Sequence, residues 1–431
     1  MSETYRANAL VILDPRLLKL KEYLVNAVAP EMQHQSTLKP PDRDSLRSLL
    51  FEVYTRTKAE LKPEVRDLIM NAALADLIGY GPIDLLLPDP EISEIMVNGP
   101  KQVFVERNGE ILETDVQFDN EEHLLRIIDR IVSPLGRRVD SDNPTADARL
   151  PDGSRVNVVI PPVAVDGPHV TIRKFLQTKM TMDDLVAMDA LTAYMAKFLE
   201  ACVVARLNIL VTGNTSSGKT TVLNALSGFI PEKERIVTIE DAVELKLKQR
   251  HVIRLETKLP NVDGSGAVGV RELVRNALRM RPDRIVIGEV RGGEAMDMLQ
   301  AMNTGHTGSL TTLHANSPRD GTARLETMSM MAGLEMPLLA IRKQIAAAIN
   351  LIVHLARLPD GSRKMTHITE LSGMEGEVLT LTDIFKFEQT GVTPEGKIIG
   401  QLHPTNMRPL FTPRLEAAGY KLGGEIFGAG L

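Results

Sequence analysis

Apolar residues recur at helical spacing through the first 79 residues of the chain. In three stretches, leucine, valine and neighbouring apolar side chains fall on one face of a helix with about 3.6 residues per turn. Pro40, Pro41 and Pro63 separate the stretches. We therefore predict a three-helix N-terminal module over residues 1–79, and its lack of catalytic residue combinations favours a docking or assembly role. The apolar stretches are residues 17–24, 46–54 and 65–73.

The pattern changes after Gly79. From there to residue 176, short runs of alternating apolar and polar residues predict strands, and Asn108-Gly109 between two of them predicts a hairpin. A helical pattern over residues 121–132 interrupts the strands. Residues 80–176 are therefore predicted to form a small α+β domain. The expected strands are residues 94–97, 103–106, 155–160 and 169–174.

Strands and helices alternate over residues 185–431, which predicts an α/β domain with a parallel sheet. The chain beyond residue 351 adds further strands to this domain. Residues 259–270 are rich in glycine and lack periodicity, so a loop is predicted there. The expected strands are residues 208–211, 235–239, 251–256, 284–287, 309–313, 351–358 and 378–387.

Residues 213–220 fit the pattern G-x-x-x-x-G-K-[ST] between an apolar strand and a helical pattern, the context that a phosphate-binding loop requires. Gly213 and Gly218 let successive backbone N–H groups turn towards one anion. The helix that opens at Lys219 adds the positive end of its dipole. Lys219 reaches the β- and γ-phosphates, and Thr220 offers a hydroxyl to Mg²⁺. The residues predicted to bind the nucleotide are Gly213, Asn214, Thr215, Ser216, Ser217, Gly218, Lys219, Thr220 and Thr221.

A nucleoside triphosphatase also needs a carboxylate at a strand end to hold the metal or to orient the attacking water. Glu240 follows the strand next in sequence, and Glu289 follows the apolar strand 284–287. An acid after a strand is more often a helix N-cap or a solvated loop residue, but the phosphate loop favours a catalytic role here. Glu240 and Glu289 are therefore predicted as catalytic residues and, with Thr220, as metal ligands.

Residues 304–316 surround a further strand with small polar residues and two histidines, His306 and His314. One interpretation is that these histidines contact the γ-phosphate or relay its state. The other is turn chemistry with ordinary histidines. Both histidines are candidate catalytic residues.

The composition excludes several other classes of protein. The single cysteine, Cys202, lies in an apolar stretch, so a disulfide or a cysteine zinc site within one chain is excluded. The formal charge is −6, aromatic residues make up 4% and tryptophan is absent, so no nucleic-acid partner is expected. The N-terminus lacks the apolar segment of a signal peptide, and no run of about 20 apolar residues occurs, so a cytoplasmic protein is expected.

The ordered motifs closely resemble the secretion and pilus-assembly ATPases of type II and type IV machines. The family's phosphate loop, Asp box, atypical Walker B motif and His box match, in that order, residues 213–220, 240–244, 285–291 and 305–316. Within the family the chain is most similar to the CpaF-type motors of tight-adherence (Flp) pili, because residues 93–99 and 149–157 carry phrases typical of that type. The resemblance is clearest over residues 80–370.

The resemblance implies a homohexameric ATP hydrolase that uses Mg²⁺. The implied fold is a RecA-like P-loop ATPase domain preceded by a small, PAS-like α+β domain and the N-terminal helices. ATP would lie between the two domains, where arginines neutralise charge on the transferring phosphoryl group. An inner-membrane platform protein would hold the motor at the inner face of the bacterial cytoplasmic membrane. The matching arginines are Arg149, Arg155 and Arg173, with Arg279 ahead of the Walker B strand; for each, a surface salt bridge is the alternative.

Four functions stay open. The first is a motor that powers pilus assembly, with or without retraction, or protein secretion. The second is a DNA-transfer or conjugation ATPase or a helicase, against which the acidic balance and the scarcity of aromatic residues count. The third is a non-hydrolysing nucleotide switch, which Lys219, Thr220 and Glu289 disfavour. The fourth is a P-loop kinase, which would need an acceptor pocket that the motif spacing does not predict.

Overall fold

The structure is a computed structural model that describes residues 4–5, 14–35, 42–175, 180–258, 260 and 265–428. The chain divides into two compact units, Met1–Gln177 and Thr178–Leu431. The first unit contains both the N-terminal helices and the sheet that follows them, so their treatment as separate domains stays a prediction. Parts of the predicted domains and of the predicted glycine-rich loop lie outside the described residues: 1–3, 6–13, 36–41, 176, 259, 261–264 and 429–431.

The N-terminal helices pack around an apolar core that includes Leu24, Leu50 and Leu74. In chain order, this segment contains β1 (Thr4–Tyr5), α1 (Pro15–Gln35), α2 (Arg43–Arg56) and α3 (Pro63–Ile78). The carboxylate of Asp42 accepts two backbone N–H groups at the start of α2. Pro63 opens α3, where its missing N–H costs no helical hydrogen bond. The predicted helical pattern of this segment is confirmed.

A mostly antiparallel sheet and a helix complete the first unit. Their bounds are Gly81–Leu85 (3₁₀), β2 (Ile92–Asn98), β3 (Val103–Arg107), β4 (Glu110–Thr114), α4 (Glu121–Val132), Ser133–Leu135 (3₁₀), β5 (Thr145–Arg149), β6 (Arg155–Val159) and β7 (His169–Arg173). The strand order is β1-β4-β3-β2-β7-β6-β5. Alternate residues, such as Val156 and Val158, are buried in the same core as α4. Asn108 and Gly109 have positive φ values of 52° and 86°, as the predicted hairpin between β3 and β4 requires.

A buried ion cluster joins the helices to the sheet within the first unit. Lys21 Nζ lies 2.8 Å from Oδ2 of both Asp76 and Asp119. The ring nitrogens of His123 lie 3.1 Å from Asp76 and 3.3 Å from Asp119. Burial alone would lower the pKa of His123, but its hydrogen bonds to the two carboxylates outweigh burial and raise the pKa. With Lys21 and His123 both positive the four charges cancel, so the cluster that links α1, α3 and the start of α4 carries no net charge.

The second unit is a layered α/β structure. Its elements are α5 (Met182–Ala187), α6 (Ala193–Val204), β8 (Ile209–Gly213), α7 (Lys219–Ser227), β9 (Ile236–Glu240), β10 (Val252–Glu256), α8 (Val270–Ala277), β11 (Arg284–Ile287), α9 (Glu294–Asn303), β12 (Leu310–His314), α10 (Pro318–Met330), α11 (Leu338–Ala348), β13 (Leu351–Arg357), β14 (Arg363–Glu375), β15 (Val378–Val392), β16 (Ile398–Pro404), α12 (Thr412–Ala417) and Gly424–Phe427 (3₁₀). The strands form a nine-stranded sheet with the order β10-β9-β11-β12-β8-β13-β14-β15-β16. Strands from β10 to β13 are parallel, and those from β13 to β16 are antiparallel.

Helices cover both faces of the parallel part of this sheet, because its strands are apolar on both sides. In β8, Ile209 and Val211 belong to one core and Leu210 to the other. The predicted α/β fold with a parallel sheet is thereby confirmed, whereas β14 and β16 were not among the predicted strands. Among the described residues, no helix is both long enough and apolar enough to cross a membrane.

The parallel strands bring distant chain segments together at one edge of the sheet. Gly213 at the end of β8 pairs with His314 at the end of β12. Ile287 at the end of β11 pairs with Thr311 of β12. The carboxyl ends of parallel strands emerge at the same edge. The phosphate loop, His314 and the residues after β11 therefore lie side by side.

Candidate nucleotide-binding site

The phosphate loop leads from β8 into α7 and requires glycine at both ends. A Cβ on Gly213 would lie 2.5 Å from the carbonyl oxygen of Leu355 and 2.5 Å from Ser217 Oγ. Gly218, immediately before α7, has a φ of 95°, which L-residues with side chains avoid. Ser216 also adopts a positive φ, 59°. The loop is therefore tightly curved, and it ends at the amino terminus of α7, where the helix dipole favours an anion.

Lys219 is the first residue of α7 and is 8% exposed. Its Nζ donates a hydrogen bond to the carbonyl oxygen of Asn214 at 3.0 Å. The same Nζ lies 3.4 Å from Nδ1 of His314. The lysine is thus held over the loop, in the position from which an ammonium group reaches bound phosphates. Thr220 and Thr221 follow it in the first turn of α7 and are partly exposed.

Glu289 lies just beyond β11, and its backbone is held by the neighbouring strand. The N–H of Val290 donates to the carbonyl of Thr312 at 2.9 Å, and the Thr312 hydroxyl donates to the carbonyl of Gly288 at 2.7 Å. The Oε1 atom of Glu289 lies 3.2 Å from Nε2 of His314. The structure therefore connects Lys219, His314 and Glu289 in one series of side chains.

Arg291 extends this series. Its Nη2 donates to Glu289 Oε2 at 2.9 Å, and its Nη1 lies 3.6 Å from Asp241 Oδ2. Burial would raise the pKa of Glu289, but the hydrogen bond from Arg291 outweighs burial and lowers the pKa. Glu289 is consequently ionised at neutral pH, as a proton acceptor must be.

The charge state of His314 follows from its neighbours. Burial lowers the pKa of His314, and the adjacent ammonium of Lys219 lowers it further. The imidazole is therefore neutral at pH 7.

An open cavity of about 270 Å³ lies beside this series. Because a water occupies about 30 Å³ in the liquid, the cavity accommodates several waters next to the carboxylate of Glu289. The lining residues are Glu289, Val290, Arg291, His314, Arg324 and Met328. The arrangement provides a cationic anion-binding loop, an ionised carboxylate and room for water.

Glu240 ends β9 and is 3% exposed. Its Oε2 accepts the backbone N–H groups of Glu244 and Leu245 at 2.8 and 2.9 Å, whereas Oε1 has no hydrogen-bond partner among the described residues. Burial raises the pKa of Glu240 despite these hydrogen bonds. In the strand order, β9 lies three strands from β8, about 14 Å at normal strand spacing. Glu240 therefore lies deeper and farther from the phosphate loop than Glu289, with one oxygen available to an ordered water.

The residues present fit a magnesium ion. Thr220 offers a hydroxyl oxygen, and Glu240 and Glu289 offer carboxylate oxygens, which are the ligands that Mg²⁺ prefers. The Oε1 atom of Glu240 has no hydrogen-bond partner among the described residues. It is better placed to accept a hydrogen bond from a metal-bound water than to bind the metal directly beside Thr220. Among the described residues, a group of potential metal ligands close to one another is Asp76, Asp119 and His123. There Lys21 Nζ already lies against both carboxylates, so that group is an ion cluster.

His306 and Arg279 lie at the opposite ends of the parallel strands from the phosphate loop. His306 precedes β12 by four residues, and Arg279 lies between α8 and the start of β11. Both are therefore at the amino-terminal ends of the parallel strands, whereas the phosphate loop is at the carboxyl ends. Within one chain they are not brought to Lys219, and their predicted roles stay predictions.

The three N-terminal arginines form a row across the sheet of the first unit. Arg149 pairs with Arg155, Arg155 pairs with Arg173, and Arg173 pairs with Glu94. Directly paired residues on adjacent strands project from the same face. Because the core positions of these strands alternate with them, the row occupies the face opposite α4. Their predicted contact with ATP stays a prediction.

Sequence reasoning missed several charged residues of this site. Arg291 and Asp241 lie within the motifs at residues 285–291 and 240–244. Their position near a strand end could therefore have indicated that they belong to the site. Arg324 and Arg363 lacked any such signal. Arg363 Nε donates to the carbonyl of Ser216 in the phosphate loop at 2.9 Å across 147 residues of sequence.

The phosphate loop and the parallel sheet that carries it are those of the P-loop class of proteins with a RecA-like α/β fold. The sequence of residues 76–390 matches the family described as type II/IV secretion system protein, and the chain belongs to that family. A Mycobacterium tuberculosis protein named for conjugal transfer is 38% identical over 313 residues, covering 71% of this chain and 88% of the relative. The type IV secretion system protein VirB11 of Bartonella henselae is 33% identical over 330 residues, covering 67% of this chain and 90% of the relative.

A solved structure has the same fold. The pilus retraction motor PilT with bound ADP aligns with a TM-score of 0.50 and 22% identity, covering 68% of this chain and 83% of PilT. The predicted membership of the type II/IV secretion and pilus ATPase superfamily is confirmed, and the CpaF type stays a prediction.

Proposed function

We propose that this chain is a Mg-ATP-hydrolysing motor of a bacterial pilus or secretion machine. The observation that carries the proposal is the series of Lys219, His314 and Glu289 at the phosphate loop. This series places a phosphate-binding cation and an ionised carboxylate at the two ends of one imidazole. The adjoining cavity leaves room for the attacking water.

In the proposed reaction, a water oxygen forms a bond to the γ-phosphorus of ATP while the bond from that phosphorus to the β–γ bridging oxygen breaks. The proton of the water passes to the Glu289 carboxylate, and ADP leaves with its terminal oxygen negatively charged. Lys219 and the loop N–H groups offset the negative charge that builds up on the phosphoryl oxygens. Thr220, together with Glu240 and Glu289, would hold Mg²⁺, which would supply positive charge against the negative charge of the phosphates.

The arginine row of the first unit supplies further positive charge in this proposal. Arg149, Arg155 and Arg173 project from one face of a sheet. We propose, as the family resemblance implies, that they neutralise charge on the transferring phosphoryl group and thereby couple hydrolysis to domain movement. We propose that the machine is a homohexamer of the CpaF type at a tight-adherence or type IV pilus. It would be bound to an inner-membrane platform protein at the inner face of the cytoplasmic membrane.

Steady-state release of phosphate from ATP tests the enzymatic core of the proposal. We expect Lys219→Ala to abolish turnover, because the ammonium group that binds the β- and γ-phosphates is lost. Lys386→Ala is the matched control, since Lys386 is exposed on β15. Turnover by Lys219→Ala at the parent's rate would show that the site is wrongly assigned.

A second candidate is an ATPase of conjugal DNA transfer, which the names of relatives such as the Mycobacterium tuberculosis protein favour. The net charge of −6 and the 4% aromatic content count against direct DNA binding. A cross-linked pull-down from native membranes separates the candidates by the partner it recovers: a pilus platform protein or a DNA-transfer component. Turnover stimulated by DNA, with a steep dependence on salt, would favour the second candidate.

A further inference from the structure

The hairpin formed by β13 and β14 lies directly against the phosphate loop. β13 pairs in parallel with β8, and Leu355 stands opposite Gly213. The approach is so close that a Cβ on Gly213 would lie 2.5 Å from the Leu355 carbonyl oxygen. The hairpin continues to Arg357 and returns at Arg363, which is paired with Arg357. Its tip therefore extends beyond the end of β8, alongside the loop.

Arg363 contacts the loop from this hairpin. Its Nε donates to the carbonyl oxygen of Ser216 at 2.9 Å. Its Cδ lies 3.8 Å from the position that a Cβ on Gly218 would occupy. The side chain therefore packs along residues 216–218, and its guanidinium group places a positive charge beside the loop.

The bonded carbonyl belongs to Ser216, a residue with an unusual backbone conformation. Ser216 has a φ of 59°, a conformation that residues other than glycine adopt only when their surroundings hold them. In a trans peptide the C=O of Ser216 and the N–H of Ser217 point in opposite directions. That N–H donates to the Asn214 carbonyl at 3.3 Å, which also accepts the hydrogen bond from Lys219. Holding the Ser216 carbonyl therefore fixes the turn that positions Lys219.

The hairpin is itself held in place. Asp360 Oδ1 accepts the Ser362 hydroxyl at 2.6 Å, and Asp360 Oδ2 accepts the backbone N–H of Ile398 from β16 at 2.8 Å. On the other side of Arg363, the N–H of Met365 donates to the Ala190 carbonyl at 2.8 Å. Arg363 therefore reaches the loop from a fixed support rather than from a free surface strand.

We propose that Arg363 is a positioning residue for nucleotide binding. It holds residues 214–219 in the curved conformation before the nucleotide arrives, so that binding does not have to order the loop. The inference rests on the proposed function, since it concerns the affinity of the same site. Arg363 bonds to the Ser216 carbonyl of the phosphate loop. Its loss therefore weakens binding of the phosphates more than it slows the chemical step.

Calorimetric titration with Mg-ADP, combined with steady-state ATP hydrolysis, tests the proposal in the full chain. Arg363→Met removes the donor and the charge but keeps a long side chain. It should raise the Kd for ADP and the KM for ATP about tenfold, equivalent to about 1.4 kcal/mol, with kcat within about twofold of the parent. Arg363→Lys retains the charge and a donor, so it should recover most of the affinity. Arg408→Met is the matched control, since Arg408 is exposed and paired with Glu416.

The outcomes separate this inference from the proposed function. The inference is overturned if the parent binds ADP and the Kd of Arg363→Met for ADP is within twofold of that of Arg408→Met. The proposed function would then still stand. A fall in kcat with unchanged KM also overturns it, because the residue would then act on the chemical step. A parent chain that does not bind ADP overturns the proposed function, and the inference with it.

Discussion

The Nε2 atom of His314 lies 3.2 Å from Oε1 of Glu289. On its other side, Nδ1 of the same ring lies 3.4 Å from Lys219 Nζ. An ammonium group can only donate hydrogen bonds, so Nδ1 accepts and the proton of the neutral ring is on Nε2, which donates to Glu289. The imidazole thus fixes the carboxylate relative to the phosphate-binding lysine. Movement of Lys219 towards a bound phosphate would be transmitted to Glu289 through this ring.

Replacement of His314 tests that role. His314→Ala removes the group that orients Glu289, so kcat for ATP hydrolysis should fall on the order of tenfold to a hundredfold, while the affinity for ADP changes less. Phosphate-release kinetics and ADP titration measure the two effects. His403→Ala is a suitable control, because His403 is exposed on β16. Equal kcat values for His314→Ala and His403→Ala would remove His314 from the account.

The acid limb of the pH–rate profile should report Glu289, whose pKa the hydrogen bond from Arg291 lowers. Because the carboxylate must be ionised to accept a proton, activity falls as the pH drops through that pKa. Arg291→Met removes the stabilising charge, so the acid limb should move to higher pH. Measurement of kcat/KM across the acidic range detects this shift, and an unchanged limb in Arg291→Met would mean that another group controls it.

Local sequence was enough to select the phosphate loop, Glu289 and His314 as candidates, because each lies at or just beyond the end of an apolar strand. The proximity of these residues could also be expected from the sequence, since the carboxyl ends of parallel strands lie on the same side of a sheet. The contact of Arg363 with Ser216 could not be predicted in this way. It depends on the pairing of β13 with β8 and on a hairpin of the antiparallel tail, which no local pattern specifies.

The row of Arg149, Arg155 and Arg173 illustrates the same limit in the first unit. Arg155 and Arg173 lie in predicted strands, whereas the strand that carries Arg149 was not predicted. The alignment of the three arginines depends on the register of β5, β6 and β7. A shift of one residue in either pairing would turn the row to the apolar face. The buried cluster around Lys21 was likewise not foreseen, since its partners come from α3 and from the start of α4.

The stability of the first unit should fall at alkaline pH. The pKa of His123 is raised above its ordinary 6.5 by Asp119 and Asp76, against the effect of burial. The stabilisation from the protonated ring is therefore complete below about pH 6.5 and is lost as the pH rises through the higher folded-state pKa. Deprotonation removes the positive charge of His123 from the two carboxylates, which then retain only Lys21 as a partner within the cluster.

Urea denaturation between about pH 6 and pH 9, followed by hydrogen exchange in α1, measures this effect. In His123→Gln the free energy of unfolding should be lower at about pH 6 and should depend less on pH. Identical pH dependence in the parent and in His123→Gln would contradict the assignment.

On the acid side, Asp119 has a pKa lowered by His123 and Lys21 despite burial, so stability should also be lost well below pH 3.8.

Two glycines near His306 separate steric from conformational effects. Gly308 and Gly305 both have positive φ values, 84° and 106°, so alanine strains the backbone at each. A Cβ on Gly308 would also lie 2.0 Å from Nη1 of the buried Arg284. A Cβ on Gly305 would have no heavy atom within 4 Å. Gly308→Ala should therefore cost about 2 kcal/mol more of the unfolding free energy than Gly305→Ala. Equal losses in thermal or urea unfolding would show that Arg284 can move aside.

The role of Glu289 as proton acceptor is tested by the turnover of Glu289→Gln, measured at saturating Mg-ATP alongside its nucleotide affinity. Glutamine keeps the size of the side chain but cannot accept the proton of the attacking water. We expect Glu289→Gln to bind nucleotide nearly as tightly as the parent and to have a kcat lower by about a hundredfold to ten-thousandfold. A kcat within twofold of the parent would contradict the claim that Glu289 is the proton acceptor for ATP hydrolysis.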